Sequence, residues 1–236
     1  MSEFVGRARA FVAERFPSAR AAFLGGSTAS GHATETSDLD VLVVLPEEWA
    51  DVSFVETTMF QGQLVEAFVY GRAALERWLE KGRAERRPVL DRFIAEGVAL
   101  TDNAPTRALA EASRETLAAG PSALTSDELR LRAYTLSGLV DDLADSTEPG
   151  ERFVILTTAW REAAELALLL DQRWLGTGKW LLRELRRTRD RFGLVEWAAS
   201  SEHDVGNLLA AGHAVLDASG GYLQNGFIRG QRPPGL

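Results

Sequence analysis

The β-prone runs of this chain all lie before Pro105, and beyond it only helical periodicity remains. With no internal repeat, that asymmetry predicts an α+β protein: a mixed-sheet domain with flanking helices over residues 1–104, then an all-helical bundle over 105–236. Phe4, Val5, Ala8, Phe11 and Val12 recur at helical spacing and predict a first helix, ended by Pro17. Apolar runs at 19–24 and 39–45 read as buried strands, closed by Gly25-Gly26 and by Pro46. Runs at 53–60 and 63–70 flank Gln61-Gly62 and read as a hairpin. Helices are expected over 73–86 and 89–96, and then, past the turn cluster Thr101–Pro105, over 106–119, 127–144, 150–174, 178–191 and 202–218. The segment 226–236, with Pro233-Pro234-Gly235, reads as a loose tail.

Composition narrows the classes of function. The chain has no cysteine and only three histidines, which excludes thiolate nucleophiles and zinc–sulfur sites and argues against a histidine-rich metal centre. The longest apolar runs are too short to span a bilayer, and the N-terminal segment lacks an apolar signal core, so a cytoplasmic protein without a membrane partner is expected. A formal net charge of −8 weighs against a long nucleic acid as main partner.

The chemistry concentrates in Gly25-Gly26-Ser27 followed by Asp38-Leu39-Asp40 at the opening of a Val-rich strand. Residues two apart on a strand share a face, so Asp38 and Asp40 present two carboxylates side by side while Leu39 turns to the core. At about 4 Å two such charges repel by roughly 4 kcal/mol with an effective dielectric near 20. Magnesium is the natural compensator, because it prefers oxygen ligands and combines one or two carboxylates with substrate phosphates. The glycine turn lets backbone amides approach a phosphate, and Ser27 adds a hydroxyl. A phosphate cradle ahead of a carboxylate pair suits phosphoryl transfer, with two metal ions expected, to activate the attacking oxygen and steady the leaving group. A third acid is expected on a neighbouring strand. Glu66 fits, an acid between Leu64 and Phe68 on one strand face; Glu56 is the rival.

These residues resemble the polymerase-beta-like nucleotidyltransferase superfamily, in which a Gly-Ser turn and a spacer precede Asp-x-Asp at a strand, with a third acid on a later strand. Gly26-Ser27 and Asp38-Leu39-Asp40 match, with Ser37 ahead of the pair, and Glu66 matches by its strand. The core of the resemblance covers residues 20–70. A following helical bundle is similar to that of bacterial aminoglycoside adenylyltransferases. The segment Trp174-Leu175-Gly176-Thr177-Gly178-Lys179-Trp180 resembles one in which a lysine reaches the triphosphate, here Lys179. The resemblance implies Asp38, Asp40 and Glu66 as catalytic and magnesium-holding residues, and Gly26, Ser27, Ser37 and Lys179 as nucleotide-binding ones. It implies ATP as donor and a small hydroxyl-bearing acceptor, with AMP transfer to an aminoglycoside-like antibiotic the first expectation. The general base is Glu66, or an acid of the bundle such as Glu162 or Glu165.

Other readings stand beside this one. The enzyme could modify a protein or an RNA end, or the domain could be an inactive nucleotide sensor, which the intact acid pair argues against. Glu162 and Glu165 also read as salt-bridge partners of Arg161 or another arginine, and Asp141-Asp142 as solvated or paired with Arg130 or Arg132. Trp160, Trp174, Trp180 and Trp197 read as core, and His203 and His213 as structural.

Overall fold

The computed structural model describes residues 2–29, 38–230 and 232–233. By contact the chain divides into two compact units, residues 1–120 and 121–236.

The first unit runs α1 (Ser2–Arg15), β1 (Ala21–Leu24), α2 (Gly26–Ala29), β2 (Leu39–Val44), β3 (Ser53–Phe60), β4 (Gln63–Tyr70), α3 (Arg72–Ala84), α4 (Val89–Glu96), β5 (Val98–Ala99) and α5 (Ala104–Ala119). Its five strands lie in the order β3-β4-β2-β1-β5. Only β2 and β4 pair in parallel; the other neighbours are antiparallel, so the sheet is mixed as expected. The hairpin turn falls on Gln61 and Gly62, both with positive φ, the geometry that matches the twist of the flanking strands.

Strand alternation divides the unit into two cores. Leu39, Val41 and Val43 of β2 and Val65, Ala67 and Val69 of β4 face α1, where they bury Ala8, Phe11 and Val12. The alternate residues, Leu42, Val44, Phe68 and Tyr70, pack with Phe23 of β1 against Ala74, Leu75 and Leu79 of α3, Ile94 of α4 and Ala110 of α5. The helix after the turn cluster therefore belongs by contact to the first unit. The sequence pattern puts the boundary at residue 104; the packing of Leu109 and Ala110 on this core moves the contact boundary past Gly120. β5 carries no readable periodicity, because a strand of two residues is too short for alternation to register.

The second unit is helical: α6 (Ser126–Asp145), α7 (Pro149–Leu170), α8 (Lys179–Arg186), α9 (Leu194–Ala199) and α10 (Val205–Ala218). A capping box starts α6, with the Thr125 hydroxyl accepting from the Glu128 amide and the Glu128 carboxylate accepting from Thr125. Asp204 caps α10 by accepting from the Asn207 amide. The helix expected over 150–174 stops at Leu170, and Trp174 and Leu175 are instead buried in the following loop. The tail is not wholly loose: the Leu223 amide donates to Ser137 just ahead of it, and within it the Phe227 ring stacks on Tyr134 at 4.2 Å. No helix among the described residues is long and apolar enough to cross a membrane.

One ion pair ties α3 to α4. Asp91 is fully buried, and the Arg83 guanidinium donates to both its oxygens at 3.0 and 2.7 Å; that hydrogen bond raises the Arg83 pKa. Arg83 keeps 36% of its side chain in solvent, so the partners are not equivalent. Arg83→Ala is expected to cost about 2–3 kcal/mol, since it strands a buried carboxylate while the exposed arginine tempers the full loss. Asp91→Asn is expected to cost less, because Arg83 can turn to water. Urea unfolding of both variants checks this, and the reverse order would show that Asp91 has another source of stabilisation.

Candidate active site

Asp38 precedes β2, Asp40 is its second residue, and Glu66 is the fourth residue of β4. The parallel register sets Asp40 directly beside Glu66 and Leu39 beside Val65. Because both strands alternate in phase, the two acids share one face while Leu39 and Val65 are buried on the other. Asp38, two residues ahead of Asp40, joins them. One carboxylate oxygen from each of the three lies within 4.8 Å of the others, and all three residues are half-buried. Further along the same face Leu42 and Phe68 enter the core, so the acids sit where a dry sheet face reaches its rim.

The glycine turn is fitted to this cluster. The Gly25 amide donates to the Asp40 carbonyl at 2.9 Å. A side chain at Gly25 would run into the Phe93 ring, which also meets Phe68 edge-on at 5.9 Å. Gly26 has φ +66, and a Cβ there would fall on the Asp40 carboxylate. Glycine is thus required twice over at 26, by backbone conformation and by the approach of the acid. The buried Thr28 hydroxyl closes the turn by donating to the Gly25 carbonyl at 3.0 Å.

The donor set suits a hard divalent cation. Three carboxylates converge, oxygen is the only ligand type, and a bound cation would relieve the repulsion between like charges this close. Asp38, Asp40 and Glu66 are the residues that would hold it.

The other candidates fall elsewhere. Glu56 pairs in register with Ala67, which puts it on the α1 face, where it accepts from Arg15 at 2.7 Å; it is not part of the cluster. Ser27 lies in α2, and Ser37 is outside the described residues. Lys179 is exposed at the first turn of α8 in the helical unit. Glu162 and Glu165 both accept from Arg132, at 2.9 and 3.3 Å, a salt-bridge cluster in the bundle. Asp141 accepts from the Tyr222 hydroxyl rather than from an arginine, a bond that raises the Tyr222 pKa. Trp174 and Trp197 are buried, and Trp160 and Trp197 donate their indole N–H to the carbonyls of Leu194 and Asp204. Trp180 is only half-buried, with Arg183 over its ring. Phe93 and Thr28 were not legible as site residues, because their contacts to the turn are tertiary and carry no local pattern.

Gly26→Ala is expected to cost about 2–4 kcal/mol, combining left-handed strain with displacement of Asp40. Gly62→Ala has φ +78 but open space around its Cβ, so it should cost only about 1–2 kcal/mol. Chemical unfolding of the two proteins measures the difference, and equal costs would mean that Asp40 yields freely.

Residues 5–87 match the family model of the nucleotidyltransferase domain. A nucleotidyltransferase-like protein from Exiguobacterium sibiricum 255-15 is 15% identical over 92% of this chain and 74% of that one, with a TM-score of 0.46. No curated protein matches the chain. The matched residues hold the turn, the paired strands and all three acids, and the first unit thus carries a nucleotidyltransferase domain in an α+β nucleotidyltransferase fold.

Proposed function

We propose that the chain transfers a nucleoside monophosphate from a nucleoside triphosphate, with ATP as donor, to a hydroxyl of a small acceptor, with magnesium held by Asp38, Asp40 and Glu66. The observation that carries this reading is the convergence of the three carboxylates, fixed by the pairing of Asp40 with Glu66 beside the Gly25-Gly26 turn. Once bound, magnesium supplies charge neutralisation to the phosphates and to the acids.

In this reading the acceptor oxygen attacks the α-phosphorus, its new P–O bond forms as the bond to the β-phosphate breaks, and pyrophosphate leaves. Glu66 takes the hydroxyl proton, which makes it both ligand and base. The glycine turn and Ser27 bind phosphate oxygens. Lys179 pairs with the triphosphate, and Ser37 is a further nucleotide-binding residue. Glu162 and Glu165 are poorer candidates for the base, because Arg132 already holds both. The net charge of −8 favours a cationic acceptor, and an aminoglycoside-like compound is the first to test.

Titration calorimetry with ATP and the other nucleoside triphosphates, with and without magnesium, is the first experiment. Binding that requires magnesium and is lost in Asp40→Asn supports the site. Turnover in Asp40→Asn should fall by at least about a hundredfold with an unchanged circular-dichroism spectrum. Turnover equal to wild type would sink the mechanism. Lys179→Ala should raise KM for the nucleotide by about tenfold, the loss of one charge-assisted contact of about 1.4 kcal/mol. An unchanged KM would remove Lys179 from the site.

A further inference from the structure

Among the described residues, the edge of the sheet beside the carboxylates is unpaired. β3 is an outermost strand, and among the described residues no other strand pairs with its free side. Its register with β4 runs unbroken from Ser53↔Tyr70 to Phe60↔Gln63. Exposed edges are usually blunted by shortness, bulges, proline or lysine. β3 has eight residues, no bulge, no proline and no lysine; its one charged side chain, Glu56, is engaged with Arg15 on the α1 face. Phe54, Val55 and Met59 are 41%, 53% and 63% exposed.

The ladder determines which backbone groups are free. The Gly71 amide donates to the Val52 carbonyl at 2.8 Å, in the same register as the hairpin, so the pair 52–71 is hydrogen-bonded. Antiparallel pairs alternate between bonded and non-bonded. The even-numbered residues of β3 therefore bond to β4, and Ser53, Val55, Thr57 and Met59 point their amides and carbonyls outward. Val55, Thr57 and Met59 carry their side chains on the Glu66 face, since Thr57 pairs with Glu66.

We propose that this edge is a homodimer interface, in which β3 of a second copy pairs antiparallel about a two-fold axis through Thr57. The outward groups must meet outward groups, and two-folds through residue 56 or 57 give the longest overlap. An axis through 56 would set Glu56 against Glu56, a like-charge pair at the closest approach. An axis through 57 avoids it. Thr57 then meets Thr57, Val55 meets Met59, Phe54 meets Phe60, and Glu56 faces Thr58. Each of the pairs Val55–Met59, Thr57–Thr57 and Met59–Val55 exchanges two backbone hydrogen bonds. The result is one continuous sheet through both copies, an isologous contact that closes on itself. Strands lie about 4.8 Å apart, so the second copy's β3 runs about 10 Å from Glu66 and forms a wall of the catalytic face.

The absence of cysteine makes the test clean. Light scattering on a size-exclusion column should give twice the chain mass of 25.8 kDa. Val55→Lys/Met59→Lys places lysines against each other and should return the monomer. In Thr57→Cys, facing Cα atoms about 5.5 Å apart allow a disulfide, and copper-catalysed air oxidation should yield a covalent dimer. Val55→Cys should not crosslink, because its equivalent lies four residues, about 13 Å, along the strand. A wild-type monomer throughout a dilution series, a dimer untouched by the lysines, or crosslinking through Val55→Cys and not Thr57→Cys would each overturn the proposal. None of these readouts depends on nucleotide transfer.

Discussion

The parallel pairing of β2 with β4 is the constraint on which the rest depends. It brings Asp40 and Glu66 side by side, and the charges oppose it by a few kcal/mol. The opposite face of the same two strands buries Leu39, Val41, Val43, Val65, Ala67 and Val69 against α1. Full burial of a Val or Leu side chain is worth about 1.5–3 kcal/mol, so this face outweighs the repulsion several times over. A slip of one residue would carry Glu66 into the α1 core and bring apolar residues to the rim. The register that satisfies the core is the one that assembles the acids.

The turn after β1 depends on the same pairing from the other side. β1 lies against β2 with Leu24 opposite Val41, and the Gly25 amide extends that ladder to the Asp40 carbonyl. Gly26 follows at once with its α-carbon against the Asp40 carboxylate. Phe93 of α4 covers Gly25 and touches Phe68, which stands two residues from Glu66. The turn, both acid-bearing strands and one helix are thus mutually packed. Rigid elements place a site more closely than loops do, which suits a reaction that works by positioning and charge.

The parts of this arrangement legible in the sequence were those with a local signature. Short apolar runs announced β1 and β2, β-prone runs announced β3 and β4, Gln61-Gly62 announced the hairpin, and Asp38-Leu39-Asp40 announced a shared face. Glu66 stood out as an acid between large apolar residues. Strand order could not be read, because which strand β4 joins depends on long-range packing. Neither could the affiliation of α5, whose helical pattern says nothing about the core that receives it. Its rival Glu56 lacked such a pair of apolar neighbours, and strand pairing gives the two acids opposite faces, one facing Arg15 and the other Asp40.

The two edges of the sheet meet different ends. β5 has only two residues, and its surroundings include Arg9, Arg107 and Arg114, so that edge is short and charged. β3 is eight residues long and its one charge is paired with Arg15 on the α1 face, and it is the edge one strand away from Glu66. A bare apolar edge is an aggregation hazard unless something regular occupies it. A second copy removes the hazard with a closed, two-fold contact, whereas heterologous pairing would propagate. Because Thr57 pairs with Glu66 on one side and offers its free backbone on the other, the strand that would hold the copies together is the strand that backs the third acid.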